Sequence, residues 1–196
     1  MDHDEEPPEL ALWTRARAGD QAAFGALFDL HKDRVFRHAF RLLADRTDAE
    51  DILGTVFFEL WRKRHDVHVS DASILPWLLV TTTNTAMNLQ RATRRYQHLL
   101  SRIPHEPPEL SAEEKAFLRS EELDPDLKNA IRSLNPTDQG LLTLVLMEDY
   151  AIADAAAALG IGVGAARTRL SRLKAKLRAD LINSSAHSLT VEGNRS

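Results

Sequence analysis

Between Val163 and Arg178 the chain carries six cations, Arg167, Arg169, Arg172, Lys174, Lys176 and Arg178, and no acid. Fixed positive charge of this density binds polyanions, and guanidinium groups match phosphate oxygens and guanine edges in geometry. Ala166, Leu170, Leu173 and Leu177 recur at steps of four, three and four. On a helix they share one narrow stripe and turn it into a core. The opposite face holds Gly164, Thr168, Ser171 and Ala175, all small, which lets the helix approach another surface closely. Upstream, Ala155 to Leu159 reads as a short Ala-rich helix and Gly160 as a tight turn. Helix, glycine turn, basic helix is the helix-turn-helix pattern, whose second helix enters the major groove of duplex DNA. A solvated basic helix on a bundle is the alternative this stretch leaves open.

A second constellation lies between Trp77 and Tyr96. Thr81, Thr82, Thr83, Asn84 and Thr85 are followed by Asn88, Gln90, Arg91, Arg94 and Arg95, and no acid occurs from Asn84 to Arg102. Hydroxyls, amides and arginines beside two aromatic rings suit single-stranded nucleic acid, whose bases stack and whose phosphates need cations. Other reactive groups read as structural. Asp48, Glu50 and Asp51 cluster where a helix begins, which suits capping and the helix dipole. His65 and His68 form a pair without a specified third ligand, so no metal site is expected. The chain has no glycine-rich phosphate loop, no Gly-x-Ser-x-Gly, no His-Glu-x-x-His and no cysteine. It is expected to catalyse no reaction and to need no metal or cofactor.

The elements that position these groups are helical throughout. Residues 1–8 read as disordered, and Leu10 to Ala18 as a short helix ended by Gly19. Asp20 caps a helix from Gln21 to Leu43, with Phe24, Leu27, Phe28, Val35, Phe36, Leu42 and Leu43 as candidate core. Thr47 to Glu50 is a capping-box sequence. Behind it Ala49, Ile52, Leu53, Val56, Phe57, Leu60 and Trp61 form an unbroken helical stripe. The other face presents Asp48, Asp51, Thr55, Phe58, Glu59 and Arg62. Phe58 is a large apolar residue off the stripe, placed to anchor a partner helix. Arg62 to Ser73 is a polar loop, and a helix with Pro76 in its first turn runs to about Leu100.

Arg102 to Leu123 is acidic, holds Pro104, Pro107 and Pro108, and reads as a linker. Asp124-Pro125 opens a further helix. Asn135-Pro136-Thr137 breaks it and starts another, with Leu141, Leu142, Leu144, Val145 and Leu146 as core. After Ile182 the chain is rich in Ser and Asn and reads as a frayed tail. The expected fold class is all-α: two small helical domains joined by an acidic, Pro-containing linker, the second a helix-turn-helix domain. The expected boundaries are residues 9–100, 101–123, 124–182 and 183–196. The 196 residues carry a formal charge of −4, odd for a protein that coats nucleic acid without selection, but the cations are segregated into local patches. The acidic N-terminus lacks the apolar region of a signal peptide, and no apolar run approaches a membrane span, so a cytoplasmic protein without membrane contact is expected.

Two halves of the chain carry one resemblance. Gly19-Asp20-x-x-Ala23-Phe24, Asp48-Ala49-Glu50-Asp51-Ile52, Phe57 to Leu60-Trp61, Pro76-Trp77-Leu78 and Asn84 resemble the second conserved region of bacterial extracytoplasmic-function (ECF) sigma factors. Leu134-x-Pro136, Leu159-Gly160-Ile161, Gly164, Arg169-Leu170 and Leu177-Arg178 resemble the fourth region of the same family. The chain departs from the family where Ala155-Ala156-Ala157 stands for a Glu-Ile-Ala run, Gly162 for Ser, Gly54 for Gln and Asn88 for Asp.

The resemblance implies a dissociable specificity subunit of RNA polymerase that directs promoter-specific transcription initiation. Its partners would be core polymerase, through the clamp helices of the largest subunit, promoter DNA and an anti-sigma factor. It implies a docking face of Asp48, Asp51, Thr55, Phe58, Glu59 and Arg62. It implies capture of the melted −10 non-template strand by Arg62, Arg64, His65, Trp77, Asn84, Asn88, Arg91, Arg94 and Arg95. The −35 duplex would be read by Arg167, Thr168, Ser171 and Arg172, with Arg169, Lys174, Lys176 and Arg178 mainly on phosphate. The alternatives are a stand-alone helix-turn-helix regulator and a protein–protein adaptor.

Overall fold

A computed structural model of the 196-residue chain describes residues 8–67, 69, 73–99, 131 and 133–192. Two compact units divide the chain, Met1–Glu122 and Leu123–Ser196. No β-strand is present among the described residues.

The first unit packs four helices: α1 (Pro8–Arg17), α2 (Gln21–Leu43), α3 (Arg46–Arg62) and α4 (Leu75–Leu99). Pro8 already lies in α1, where a disordered start is expected, because proline suits a first helical position. Gly19, at φ +99°, ends α1 in a Schellman turn: its amide bonds Ala16 O, and the Asp20 amide bonds Arg15 O. Asp20 then caps α2 by accepting from the Ala23 amide at 3.0 Å. The long α2 is central and meets α1, α3 and α4. Its Leu27, Val35 and Leu42 are buried, while Phe24, Phe28, Phe36 and Leu43 are half-buried at its margins. Phe24 and Phe28 stand edge-on to Phe57, with ring centroids 6.3 and 4.8 Å apart.

The start of α3 corrects the capping box. Its cap is Asp45, not Thr47: Asp45 accepts from the Asp48 amide at 2.8 Å, and Ala44 turns the corner at φ +58°. A carboxylate at this position satisfies an orphan amide and opposes the helix dipole better than a hydroxyl. Glu50 does not reach back; it pairs with Arg46 at 2.9 Å.

The middle of α4 also departs from expectation. Thr82 and Thr83 are buried rather than available to a nucleic acid. Their hydroxyls donate to Leu78 O at 2.7 Å and Leu79 O at 3.1 Å, which satisfies them inside the core. The Thr83 oxygen also meets His38 Nε2 at 2.8 Å across the α2 contact.

In the second unit Asn135 caps α5 (Pro136–Leu141), accepting from the Asp138 amide at 3.0 Å. The helix then widens into a π-helical turn, Leu142–Met147. Gln139 to Leu144 are all buried, but Val145 is half-buried and Leu146 is 37% exposed, so these two are not core. The extra residue of a π turn rotates its successors by about 100° around the axis and carries them outward. Then come α6 (Ile152–Ala158) and α7 (Val163–Glu192). Between them Gly160, at φ +64°, repeats the Schellman turn, with Gly160 N to Ala157 O at 3.1 Å and Ile161 N to Ala156 O at 3.0 Å. Ala155 and Ala156 are buried, and Ala166, Leu170, Leu173 and Leu177 turn the α7 stripe into the same core. The backbone stays helical through Glu192, past Ile182, where a frayed tail is expected. The linker and the helix expected at Asp124-Pro125 lie outside the described residues.

Candidate functional site

Three groups of residues emerge, two of them each displayed by one helix. On α7, Arg167, Thr168, Ser171, Arg172, Lys174 and Arg178 are exposed, Thr168, Ser171 and Arg172 on the side away from the buried stripe and Lys174 at its edge. Among the described residues Arg167, Arg172, Lys174 and Arg178 make no ion pair. Thr168 donates to Gly164 O at 3.0 Å, so its hydroxyl keeps acceptor capacity toward solvent. Arg169 and Lys176 are engaged within the unit: Arg169 pairs with Asp138 at 3.0 Å, and Lys176 donates to Ser133 at 2.9 Å. A groove of about 460 Å³ runs between the start of α5 and α7, with Asp138, Thr168, Arg169, Arg172 and Lys176 on its walls. The Asp138–Arg169 pair spans 31 positions, a distance at which no local pattern announces it.

On α3, Asp48, Asp51, Thr55, Phe58, Glu59 and Arg62 form one stripe opposite the buried Ala49, Ile52, Val56, Phe57 and Leu60. Phe58 is 64% exposed in the middle of it. Partial burial, with the Asp45 and Asp51 charges beside it, pushes the Asp48 carboxyl above its usual range. At the other end Arg62 donates to Glu59 at 3.1 and 2.7 Å, and Lys63 approaches the same carboxylate at 3.1 Å. These bonds hold the Glu59 carboxyl low and the Arg62 guanidinium high. The stripe therefore runs from acidic to ion-paired, with an aromatic ring between.

The third group divides. Trp77, Asn84, Asn88, Arg91 and Arg95 fall at steps of seven, four, three and four along α4, on the side away from Leu78, Leu79, Thr82, Thr83, Ala86 and Met87. Asn88 and Arg95 are exposed, and Asn88 accepts from Arg91 at 2.9 Å. Asn84 is half-buried, and its Oδ1 has no hydrogen-bond partner. The Arg94 side chain and His68 lie outside the described residues. Arg62, Arg64 and His65 sit instead at the end of α3. Arg64 stacks on Trp61 at 4.5 Å and donates to its carbonyl at 2.8 Å, while His65 is exposed. Beside His65 a cavity of about 550 Å³ opens, walled in part by Trp13, Arg17 and Val67. The buried indole N–H of Trp13 has no partner there. Among the described residues no cluster of metal-ligating side chains occurs, and no helix is long and apolar enough to cross a membrane.

Comparison with known proteins places these helices. The Sigma-70 region 2 family matches residues 27–96, and Sigma-70 region 4 matches residues 126–177. The RNA polymerase sigma factor CarQ of Myxococcus xanthus is 30% identical over 168 residues, covering 84% of this chain and 92% of CarQ. The ECF RNA polymerase sigma factor SigE of Mycolicibacterium smegmatis is 28% identical over 184 residues, covering 91% of this chain and 69% of SigE. The solved structure of CnrH in complex with the cytosolic domain of CnrY shares the fold, with a TM-score of 0.55 at 22% identity over 90% of this chain and 97% of that one. Both regions in one chain set aside the alternative of a stand-alone helix-turn-helix regulator. The chain belongs to the ECF family of RNA polymerase sigma factors.

Proposed function

We propose that this sigma factor, which directs transcription initiation, divides promoter recognition between its two units. The exposed stripe of α3, Asp48 to Arg62, docks on the clamp helices of the largest polymerase subunit, with Phe58 as its anchor. The outer face of α4, with Arg62, Arg64 and His65, captures the melted −10 non-template strand. Unstacking a base costs a few kcal/mol, which a pocket must offset. The cavity beside His65, whose walls mix apolar Leu10, Trp13 and Val67 with Thr14, Arg17 and Asp66 and hold an unpaired indole N–H, supports that reading. In the second unit α7 enters the −35 major groove: Arg167, Thr168, Ser171 and Arg172 face base edges, and Arg169, Lys174, Lys176 and Arg178 face phosphate.

The observation that carries the proposal is the sidedness of α7. Every residue of its apolar stripe is buried, its small residues Gly164, Thr168, Ser171 and Ala175 are exposed on the opposite side, and exposed cations flank them. The protein acts by binding, without chemistry of its own, in the cytoplasm, with core polymerase, promoter DNA and an anti-sigma factor as partners. The test is reconstitution. Purified protein should bind core polymerase on gel filtration and yield run-off transcripts from a promoter that core alone ignores. No core binding and no promoter-specific transcript would refute the proposal.

A further inference from the structure

Glu9 stands before the span matched to Sigma-70 region 2, residues 27–96. Yet a single oxygen of this side chain joins three elements of the first unit. Oε1 lies 2.9 Å from His31 Nε2 on α2, 2.9 Å from Ser73 Oγ and 2.8 Å from the Ile74 amide. An ionised carboxylate only accepts, so all three partners donate, and Nε2 of His31 carries its proton. Ser73 Oγ in turn accepts from the Leu75 amide at 3.0 Å. Glu9 thus holds the start of α4 both directly and through Ser73. It acts as a helix cap supplied from 65 positions earlier in the chain. The side chains of His31 and Glu9 are 6% and 18% exposed, so water competes weakly for these bonds. Ile74 is fully buried, so its amide has no solvent to turn to if the carboxylate is lost.

We propose that Glu9 is a positioning residue for strand capture: it fixes where the α3–α4 connection ends and in what orientation α4 begins. Trp77 follows Ile74 by three residues, and the stripe from Asn84 to Arg95 continues from it. A shift in the first turn of α4 is therefore carried along the whole face. The proposal rests on the reading of α4 as the strand-binding helix.

The test uses holoenzyme reconstituted from the full chain and core polymerase on a promoter with 2-aminopurine in the −10 element. Glu9→Gln keeps the length and one acceptor oxygen but removes the charge. Core affinity and −35 duplex affinity should stay within about twofold, and the rate of strand opening should fall roughly tenfold, as for loss of a charge-assisted bond. Ser73→Ala leaves the Glu9–His31 contact intact and should slow opening in the same direction. The double variant should be no slower than the slower single one. A chain that is only less stable lowers the amplitude of opening at unchanged rate, and that outcome overturns the proposal. So does a parallel loss of core affinity. Trp77→Ala in the same assay separates the two readings. If it slows opening while Glu9→Gln and Ser73→Ala do not, Glu9 positions nothing that capture uses. If Trp77→Ala itself opens at the parental rate, the strand-capture reading of α4 falls, and the role given to Glu9 falls with it.

Discussion

Phe57 and Phe58 are neighbours in sequence, one buried and one exposed, and truncating each in turn separates the core from the proposed docking face. Phe57 is 4% exposed and meets the rings of Phe24 and Phe28, whereas Phe58 is 64% exposed. Phe57→Ala should lower stability by about 3–5 kcal/mol, the usual range for a buried aromatic residue. Phe58→Ala removes mostly solvated surface and should change stability by about 0.5 kcal/mol or less. Its effect should appear on binding instead. Phenylalanine offers roughly 200 Å², and covering the exposed two-thirds at about 25 cal/mol per Å² is worth about 3 kcal/mol. That is about a hundredfold in Kd. Thermal unfolding followed by circular dichroism reads the first quantity, and anisotropy of labelled protein titrated with core polymerase reads the second. If Phe58→Ala bound core as tightly as the parent, the outer stripe of α3 would not be the docking face. If it melted as low as Phe57→Ala, the inside–outside assignment of α3 would be wrong.

Other substitutions test the remaining contacts. Asp45→Ala should destabilise by about 1 kcal/mol in thermal melts, as loss of a helix cap does, and Thr47→Ala by much less. Gly160→Ala forces a side chain into the left-handed region and should cost about 1–2 kcal/mol, read as a lower Tm of the second unit. On matched −35 duplexes Arg172→Ala should lose about 1–3 kcal/mol that is absent on scrambled duplexes. Lys176→Ala should instead weaken both alike and lower the salt slope by about one; equal behaviour of the two variants would remove that division. Burial raises the Glu9 carboxyl, but bonds from His31, Ile74 and Ser73 outweigh it and hold the folded value below the ordinary one. A depressed carboxyl contributes stability that is present above the ordinary glutamate value of about 4.3. That stability is lost as pH falls through the lower folded value, so denaturant melts of Glu9→Gln and the parent should converge in acid.

Where the determinants are local, the fold is legible. Asp20 and the periodicity behind it bound α2 at Gln21 and Leu43, and the four-three-four spacing on α7 names the residues that are buried. Thr47 misleads because Asp45, two residues earlier, is an equally local and stronger cap. Thr82 and Thr83 look like a polar surface until their acceptors are known. Those acceptors are carbonyls of their own helix, which residue types do not reveal. Val145 and Leu146 fit the helical period, but the π turn changes the period beneath them. The faces proposed for docking and strand binding can be sketched from spacing. The contacts that commit Arg169 and Lys176 cannot, since each depends on what the fold brings beside it. Glu9 is hidden most completely, as one more acid in an acidic N-terminal run.

The separation of Glu9 from its partners also orders events during synthesis. Ala44 and Asp45 alone join α2 to α3, so that pair can form from local contacts as soon as both helices have left the ribosome. His31 is 22 positions beyond Glu9, but Ser73 and Ile74 are 64 and 65 beyond it. A nascent chain therefore completes the α3 stripe before the start of α4 can be fastened. The surface proposed for polymerase matures first, and the helix proposed to capture the melted strand follows it.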